Sequence, residues 1–341
     1  MHPKRARLGL GLVPVVLPLL LAGVAAAEPV RKIVCAGPEG SPWGDGIAAV
    51  ARRITAESKG RVKVRAVPGA VAGDEVDTAL ACADGKLFIW AGSAGALSRL
   101  LPELGAMELP YLFEDDRQVA AALTGRPIAL LGQGLERRGL QLVPQLSEVG
   151  WRSFAGPKPL RSPGDLRGLR VRSQESPIHL EMWRALGAQP KAISVLETLS
   201  ALQAGIVQAF DQSPVYMFAT SWYQHARVYT MSRHIYQPGV AVLCKGALAG
   251  LSAGDRRLVA DVTAQELKAT LGQVHALEHQ VMAQLSQEGM QIVELTPEER
   301  SVLRRRTRPV IDGFRQSTTP LGREILDAFE RATGARHERR P

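Results

Sequence analysis

The segment from Gly168 to Pro214 constrains the fold more than any other part of this chain of 341 residues. Its pattern indicates a short strand ending near Arg172, a helix, a turn of small residues, a second helix and a second strand. Such alternation is typical of open α/β sheets, which bind ligands at the carboxyl ends of their strands. Arg172 is predicted at such an end, where a permanently charged, forked guanidinium suits a carboxylate.

A similar alternating block precedes this segment. Strand patterns over 30–36, 62–67 and 87–91 are separated by helix patterns, which predicts a sheet rich in parallel strands with helices on both faces. An extended passage follows over 228–243, and Pro238-Gly239 is predicted to interrupt it. Two such blocks, joined by extended passages, predict two α/β lobes with a cleft between them.

Two capping sequences mark the helices of the C-terminal part. Ser252-Ala253-Gly254-Asp255 predicts the start of a long helix that reaches about Glu288. Thr296-Pro297-Glu298-Glu299 predicts a last helix that ends near Arg331.

The order of the motifs resembles that of the solute receptors of tripartite ATP-independent periplasmic (TRAP) transporters, of the dicarboxylate-binding type. The motifs are Gly168-Leu169-Arg170-Val171-Arg172, Trp183, Leu186-Gly187-Ala188-Gln189-Pro190, Glu197, Ala201-Leu202-Gln203, Gly205, Pro38-Glu39-Gly40-Ser41-Pro42-Trp43, Gly60-Arg61-Val62-Lys63-Val64 and Glu108-Leu109-Pro110-Tyr111-Leu112-Phe113. The resemblance implies a two-lobed, periplasmic-binding-protein-like α/β fold with hinge strands and one helix that spans both lobes. By the same resemblance, lobe I is 28–150 plus 238–277, lobe II is 151–237 plus 278–305, C-terminal helices over 306–333 pack across both, and 334–341 is a disordered tail.

The N-terminus has the parts of a secretory signal peptide. Lys4, Arg5 and Arg7 precede an apolar run over 8–24, and Ala25-Ala26-Ala27 follows it. We expect cleavage near Ala27 and export to the periplasm; a retained N-terminal anchor is the alternative.

Charge and cysteine content narrow the class of protein further. The net charge of +9 becomes +6 once the three positive charges of residues 1–27 are removed. The rest of the excess is spread along the chain without interleaved aromatic residues, which argues against nucleic-acid binding. Cys35, Cys82 and Cys244 are too few for a disulfide framework. One bridge plus one free thiol remains open, and three buried thiols are the preferred interpretation.

The resemblance assigns three residues to carboxylate binding. The family's arginine at the place of Arg172 forms a salt bridge with the ligand, and a second arginine often lies twenty residues earlier, where Arg152 stands. Gln212, forty residues after Arg172, replaces the family's usual asparagine and keeps a primary amide that donates hydrogen bonds. The structural alternatives are an ion pair between Arg172 and Asp165, an exposed strand position for Arg152, and Asp211 as a partner of a hinge amide.

Four further residues are candidates for the walls of the site. Trp43 follows the first strand, Trp90 and Ser93 end the third strand, and Trp151 lies beside Arg152. For Trp90 the apolar strand favours a core position instead. Aromatic walls favour a ligand with an apolar body.

Two glycines near Ser93 bear on the size of the ligand. Sialic-acid-binding relatives use polar side chains near Gly92 and Gly95, which have none, so a large polyhydroxylated acid is not expected.

The sequence predicts a binding protein rather than an enzyme. It lacks the Gly-x-Ser-x-Gly elbow, the Walker loop and the Rossmann fingerprint, and no cofactor is expected. His275-Ala276-Leu277-Glu278-His279 fits the spacing of one zinc-peptidase class, so a zinc hydrolase is a distant alternative. The resemblance implies a small organic acid as ligand, TRAP membrane subunits as partners and a monomeric state. A ligand sensor for a membrane receptor is the other alternative.

Overall fold

The computed structural model describes residues 29–334, and at residue 148 the backbone only. Its strands are β1 (Arg31–Cys35), β2 (Val64–Val67), β3 (Ile89–Ser93), β4 (Leu140–Leu142), β5 (Ser147–Gly156), β6 (Arg170–Ser173), β7 (Gln189–Ala192), β8 (Phe210–Gln212), β9 (Val228–Cys244) and β10 (Gln291–Glu294). Its α-helices are α1 (Pro42–Glu57), α2 (Glu75–Ala83), α3 (Ala94–Leu97), α4 (Asp116–Ala122), α5 (Arg126–Glu136), α6 (Pro163–Leu166), α7 (Pro177–Ala185), α8 (Val195–Gln203), α9 (Pro214–Ala219), α10 (Lys245–Leu248), α11 (Ala253–Gln287), α12 (Pro297–Ser317) and α13 (Pro320–Thr333). The 3-10 helices are Pro102–Glu108 and Trp222–His225. The signal peptide predicted over 1–27 and the predicted tail from residue 335 onward lie outside the described residues.

Most strands join one sheet, in the order β2-β1-β3-β9-β5-β8, with β4 and β10 also paired to β9. The strands β2, β1 and β3 are parallel to one another, as the first alternating block predicts. A separate pair, β6 and β7, is also parallel and carries Arg172. None of the described helices combines the length and the apolar character that crossing a bilayer would require.

Strand β9 pairs with strands from the first alternating block and from later parts of the chain. Its C-terminal half pairs with β3 and β4, while its first residues pair with β10 and the end of β5. The predicted interruption at Pro238-Gly239 is wrong, because β9 runs through both residues. Pro238 pairs with residue 148 next to a register shift in β5, and a proline without an N–H is tolerated at such an irregularity.

Helix α11 confirms the predicted spanning helix. It is 35 residues long and is capped by Ser252, whose side chain accepts a hydrogen bond from the Asp255 backbone N–H. Val259 in its first half packs in the core of β1 and α1, while Val281 in its second half packs in the core around α9. One rigid helix therefore contributes to both cores. The residue boundaries of the two lobes stay a prediction.

The C-terminal part differs from the single last helix that the sequence predicts. A break at Thr318 and Thr319 separates α12 from α13. The Thr319 side chain caps α13 by accepting from the Gly322 N–H, and Pro320 occupies the first helical turn. The proline was the missed signal, since it favours a helix start over a helix interior.

Cys82 and Cys244 form a disulfide, and they are 162 positions apart in the sequence. The preference for three buried thiols is therefore wrong, and the alternative of one bridge with one free thiol is confirmed. Cys35 is the free, buried thiol. The bridge ties α2 to the end of β9, so it fixes the helix that carries Glu75 to the long central strand.

Replacing both Cys82 and Cys244 with alanine is expected to lower the free energy of unfolding by about 2–5 kcal/mol, since a bridge closing so long a loop restricts the unfolded chain. Urea unfolding with and without reductant measures this loss. The Cys35→Ala variant is the control, because it should keep the wild-type sensitivity to reductant while the double variant loses it. Equal stability of the double variant and the wild type would contradict the prediction.

Candidate ligand-binding site

Arg172 lies at the end of β6 as predicted, and its side chain is only 1% exposed. Its Nε donates to the Ile193 carbonyl at 3.0 Å, and its guanidinium lies 5.0 Å from the ring centroid of Trp222. Within the described part of the chain, no carboxylate pairs with it and its Nη groups donate to no other residue. Burial, and after it the charge of Arg152, lower the pKa of Arg172 to about 10.

The structural alternative for Arg172, an ion pair with Asp165, is wrong. Asp165 instead accepts hydrogen bonds from the backbone and side chain of Ser162 and from the Arg161 N–H at the start of α6. Arg172 is thus a buried charge that forms no ion pair with a described residue, although the charges of Asp211 and Glu75 partly offset the fall in its pKa. A buried charge is costly unless it is paired, so this arrangement favours an anion from outside.

Arg152 occupies a different environment, at the centre of a buried polar network. Its Nε donates to Asp211 Oδ2 and its Nη2 to the Asp211 carbonyl, both at 2.6 Å. Its Nη1 donates to the side-chain oxygens of Gln212 and Gln237. Because four of its five N–H groups are used within the protein and it is 0% exposed, the alternative of an exposed strand arginine is wrong. Its contact with the ligand stays a prediction.

Asp211 balances the charge of Arg152. Burial would raise the pKa of Asp211, but Arg152 and then His234 hold it well below its usual range. His234 reaches Asp211 at 3.2 Å from an irregular part of β9, where Arg233 has a φ of +42°. Here four residues of β9 bulge out opposite Ser153, and such bulges re-aim side chains. We expected Asp211 to be the structural partner of a hinge amide. Its side chain instead forms an ion pair with Arg152.

Gln212 has one end bound and one end available. Its side-chain oxygen accepts from Arg152 Nη1 at 3.1 Å and from the Ser213 N–H at 2.9 Å. Its Nε2 donates to no other described residue, so the amide can offer a hydrogen bond to a ligand. The predicted role as a carboxylate donor is compatible with this geometry and stays a prediction.

One cavity of the described chain is lined by residues of β1, α1, α2, β3, α9 and α11. Its empty volume is about 610 Å³, part of it open to solvent. The predicted wall residues Trp43 and Ser93 line it, and Tyr216, Cys35 and Glu75 were missed by the sequence. Trp43 contacts Tyr216, and Tyr216 contacts Trp222, over which Arg172 lies. This ring series connects the cavity wall to Arg172, which, like Arg152 and Gln212, is not among the residues that line the cavity.

The other two tryptophans do not line the cavity. Trp90 is fully buried in the core, and its indole N–H lies within hydrogen-bond distance of the Glu75 carbonyl and Thr78 Oγ1, so the core interpretation holds. Trp151 packs edge-on against Tyr236 and donates its indole N–H to Asp116. The positions of Trp90 and Trp151 therefore do not support the prediction that these two residues contact the ligand.

Glu75 is the first residue of α2 and forms part of the cavity wall. Its Oε1 accepts from the Ser93 N–H at 2.7 Å, and its Oε2 accepts from Ser93 Oγ at 2.9 Å. Burial raises the pKa of Glu75 to about 7, although the bonds from Ser93 oppose the rise. In the sequence this residue resembles an ordinary acidic residue in a first helical turn, so no signal set it apart.

Gly92 and Gly95 have a structural reason to lack side chains. A Cβ at Gly92 would lie 2.5 Å from Glu75 Oε1, and a Cβ at Gly95 would lie 2.4 Å from both Gln174 Nε2 and Glu108 Oε2. The glycines thus leave room for polar groups from other elements. Their absence of side chains does not by itself argue against a polyhydroxylated ligand.

A chain of hydrogen bonds crosses between the segment of Arg172 and the cavity wall. Gln174, two residues after Arg172, donates to Ser93 Oγ at 2.9 Å and accepts from Gln237 Nε2 at 2.7 Å. Beside it, the buried Glu108 accepts from the Gly95 N–H and lies 2.6 Å from the Nε2 of His179. These bonds couple the position of β6 to that of β3.

The histidine pair of α11 does not form a recognisable metal site. His275 and His279 are exposed, and residues 29–334 contain no group of three or more His, Cys, Asp or Glu that could hold a metal ion. The zinc-hydrolase alternative therefore gains no support from the described structure.

The family of bacterial extracellular solute-binding proteins, family 7 (DctP), matches residues 34–317. The chain belongs to this family. The resemblance to TRAP solute receptors is thereby confirmed, and the family is one of binding proteins rather than enzymes. Its similarity to the C4-dicarboxylate-binding periplasmic protein DctP of Rhodobacter capsulatus is 26% identity over 320 residues, which are 93% of this chain and 95% of that protein.

Solved structures of TRAP periplasmic solute-binding proteins share the fold of this family 7 protein. One from Sulfitobacter sp. NAS-14.1, with bound β-D-galacturonate, has a TM-score of 0.84 at 20% identity and covers 89% of this chain and 100% of its own. One from Ralstonia eutropha H16, with bound (S)-2-acetolactate, has a TM-score of 0.84 at 24% identity and covers 90% and 99%. These matches confirm the predicted two-lobed α/β fold class.

Proposed function

We propose that this protein is exported to the periplasm, binds a small organic acid through a salt bridge between its carboxylate and Arg172, and delivers the acid to the membrane subunits of a TRAP transporter. The observation that carries the proposal is the buried guanidinium of Arg172, which forms no ion pair with a described residue. Family membership supports the class of function, and the acids named for DctP and for the solved relatives support the class of ligand.

Electrostatics supply the driving force for this binding. The site holds two buried guanidiniums close enough for Arg152 to lower the pKa of Arg172, and of the two only Arg152 forms an ion pair with a described carboxylate. An entering carboxylate supplies the missing negative charge and accepts the hydrogen bonds that the Nη groups do not make within the protein. The free amide end of Gln212 adds a neutral donor.

Closure is the proposed link between binding and delivery. Gln174 donates to Ser93 and accepts from Gln237, and these bonds couple β6 to β3 and to β9, so a ligand held by Arg172 fixes both sides of the cavity together. A ligand shifts the balance toward the closed form only by its greater affinity for that form. The membrane subunits are proposed to recognise the closed form.

A thermal-unfolding screen of the purified mature protein tests the proposal. The panel contains succinate, D-galacturonate, D-erythronate and butanoate, with glucose and putrescine as neutral and cationic controls. At least one acid should stabilise the protein saturably, by about 2.7 kcal/mol at a hundred times its Kd. Stabilisation by a control but by none of the acids would overturn the proposal.

A further inference from the structure

We propose that Glu75 is the second recognition group of the cavity: it accepts a hydrogen bond from a ligand hydroxyl, and the site thereby selects a hydroxylated monocarboxylate over a dicarboxylate. The inference rests on the proposed function, because it takes the ligand's first carboxylate to be held by Arg172. Glu75 then sets what the rest of the ligand must offer.

The charges of the cavity wall support this selection. Two carboxylates line the cavity, Glu75 and Glu266, and no described arginine or lysine does. Glu266 pairs with Arg53 at 2.7 Å, which leaves Glu75 without a cationic partner among the ion pairs of the described chain. Apart from the hydroxyls of Ser147, Thr263 and Thr270, a second ligand carboxylate would thus meet apolar surface or a like charge, and either contact is unfavourable.

The hydrogen-bonding capacity of the wall points to Glu75 rather than to Ser93. The Ser93 hydroxyl lies within hydrogen-bond distance of Glu75 and also accepts from Gln174 and from the Ala96 N–H, so its one donor and two acceptor positions are occupied. Each Glu75 oxygen accepts one bond and keeps a second lone pair. Glu75 is therefore the acceptor that is still available at this point of the wall.

The position of Glu75 is built into the fold. Asp74 caps α2, the Ser93 backbone and side chain hold both carboxylate oxygens, and Gly92 leaves the space in which Oε1 lies. Glu75 is half-buried and lines the cavity. The charged groups that act on it electrostatically include Asp74 on its own helix, Glu108 from the first 3-10 helix and Arg172 from β6.

The remaining wall accounts for the carbon skeleton of the ligand. It is formed mainly by apolar and aromatic side chains, namely Trp43, Ile47, Val50, Val149, Tyr216 and Leu267. Such a surface packs against the C–H faces of a hydroxy acid. A ligand hydroxyl that points to Glu75 donates its hydrogen bond to the carboxylate. A site that is built to bind a hydroxyl rejects the analogue without it, because its own polar group is then left unpaired.

Calorimetry with matched acids tests the inference on the mature protein at pH 8.5, where a carboxyl with a pKa of about 7 is ionised. The four-carbon set is D-erythronate, butanoate and succinate, and the six-carbon set is D-galacturonate and galactarate. In at least one set the hydroxy monocarboxylate should bind about 10-fold or more tightly than its matched acids. Glu75→Gln should weaken that acid about 10- to 100-fold and bring its affinity close to that of the diacid.

The control is Asp77→Asn, which changes an exposed carboxylate on the same helix and should leave the order of affinities unchanged. The order in the wild-type protein tests the inference without any variant, should Glu75→Gln fail to fold. Diacids that bind as tightly as hydroxy monoacids, or an order that Glu75→Gln does not alter, would overturn it while Arg172 could still anchor the carboxylate. If no acid binds, the proposed function fails as well.

Discussion

Arg172→Lys is expected to bind the acid about 300-fold more weakly than the wild type, although it keeps the positive charge. Losing one member of a buried charge pair typically costs about 2–5 kcal/mol of binding free energy, and each 1.4 kcal/mol is about tenfold in affinity. The reason is geometric. The guanidinium is held by Nε on the Ile193 carbonyl and by the face of Trp222, which leaves both Nη groups for the ligand. A lysine ammonium has neither the fork nor the planar contact.

The matched control is Arg170→Lys, two residues earlier on the same strand. Arg170 is exposed and donates to the carbonyls of Gly205 and Ile206. We expect its affinity for the acid to stay within about threefold of the wild type, because the changed side chain lies outside the cavity. Titration calorimetry on both variants gives the comparison, and equal losses in the two would point to a general effect on β6.

Asp211→Asn is expected to lower the free energy of unfolding by about 3–5 kcal/mol in the absence of any ligand. The substitution keeps the shape of the side chain but leaves Arg152 fully buried without its counter-ion. Urea unfolding measures the loss. Asp312→Asn is the control, because Asp312 forms an exposed pair with Arg308 and should cost less than about 1 kcal/mol.

The same pair predicts the direction of the pH dependence. Because the pKa of Asp211 lies well below 3.8 in the folded protein, its stabilising contribution is present above pH 3.8 and is lost as the pH falls through the folded value. The Asp211→Asn variant should lack this part of the acid destabilisation. A variant as stable as the wild type at pH 7 would show that Arg152 does not depend on Asp211.

The sequence placed Arg172 correctly because its information is local. A short strand, an arginine at its end and a helix that follows are all neighbours in the chain, and they remain neighbours in the structure. The pattern also suggested an alternative partner, Asp165, five residues before the start of the strand. That residue is used instead by the capping box of α6, a local motif that the sequence also contains.

Arg152 and Glu75 could not be assigned from the sequence, because their environments are made by distant elements. Arg152 meets Asp211 and Gln237 only through the pairing of β5 with β8 and β9. Glu75 reaches Ser93 through the packing of α2 on β3. The disulfide belongs to the same class, since its cysteines are 162 residues apart and only the run of β9 through Pro238 brings Cys244 to α2.

The most direct test of the central claim is a crystal structure of the protein with the tightest-binding acid of the panel. We expect the ligand's carboxylate oxygens to lie within hydrogen-bond distance of Arg172 Nη1 and Nη2, while Arg152 keeps its pair with Asp211. A ligand whose carboxylate binds elsewhere, with Arg172 paired to a carboxylate of the protein, would contradict it.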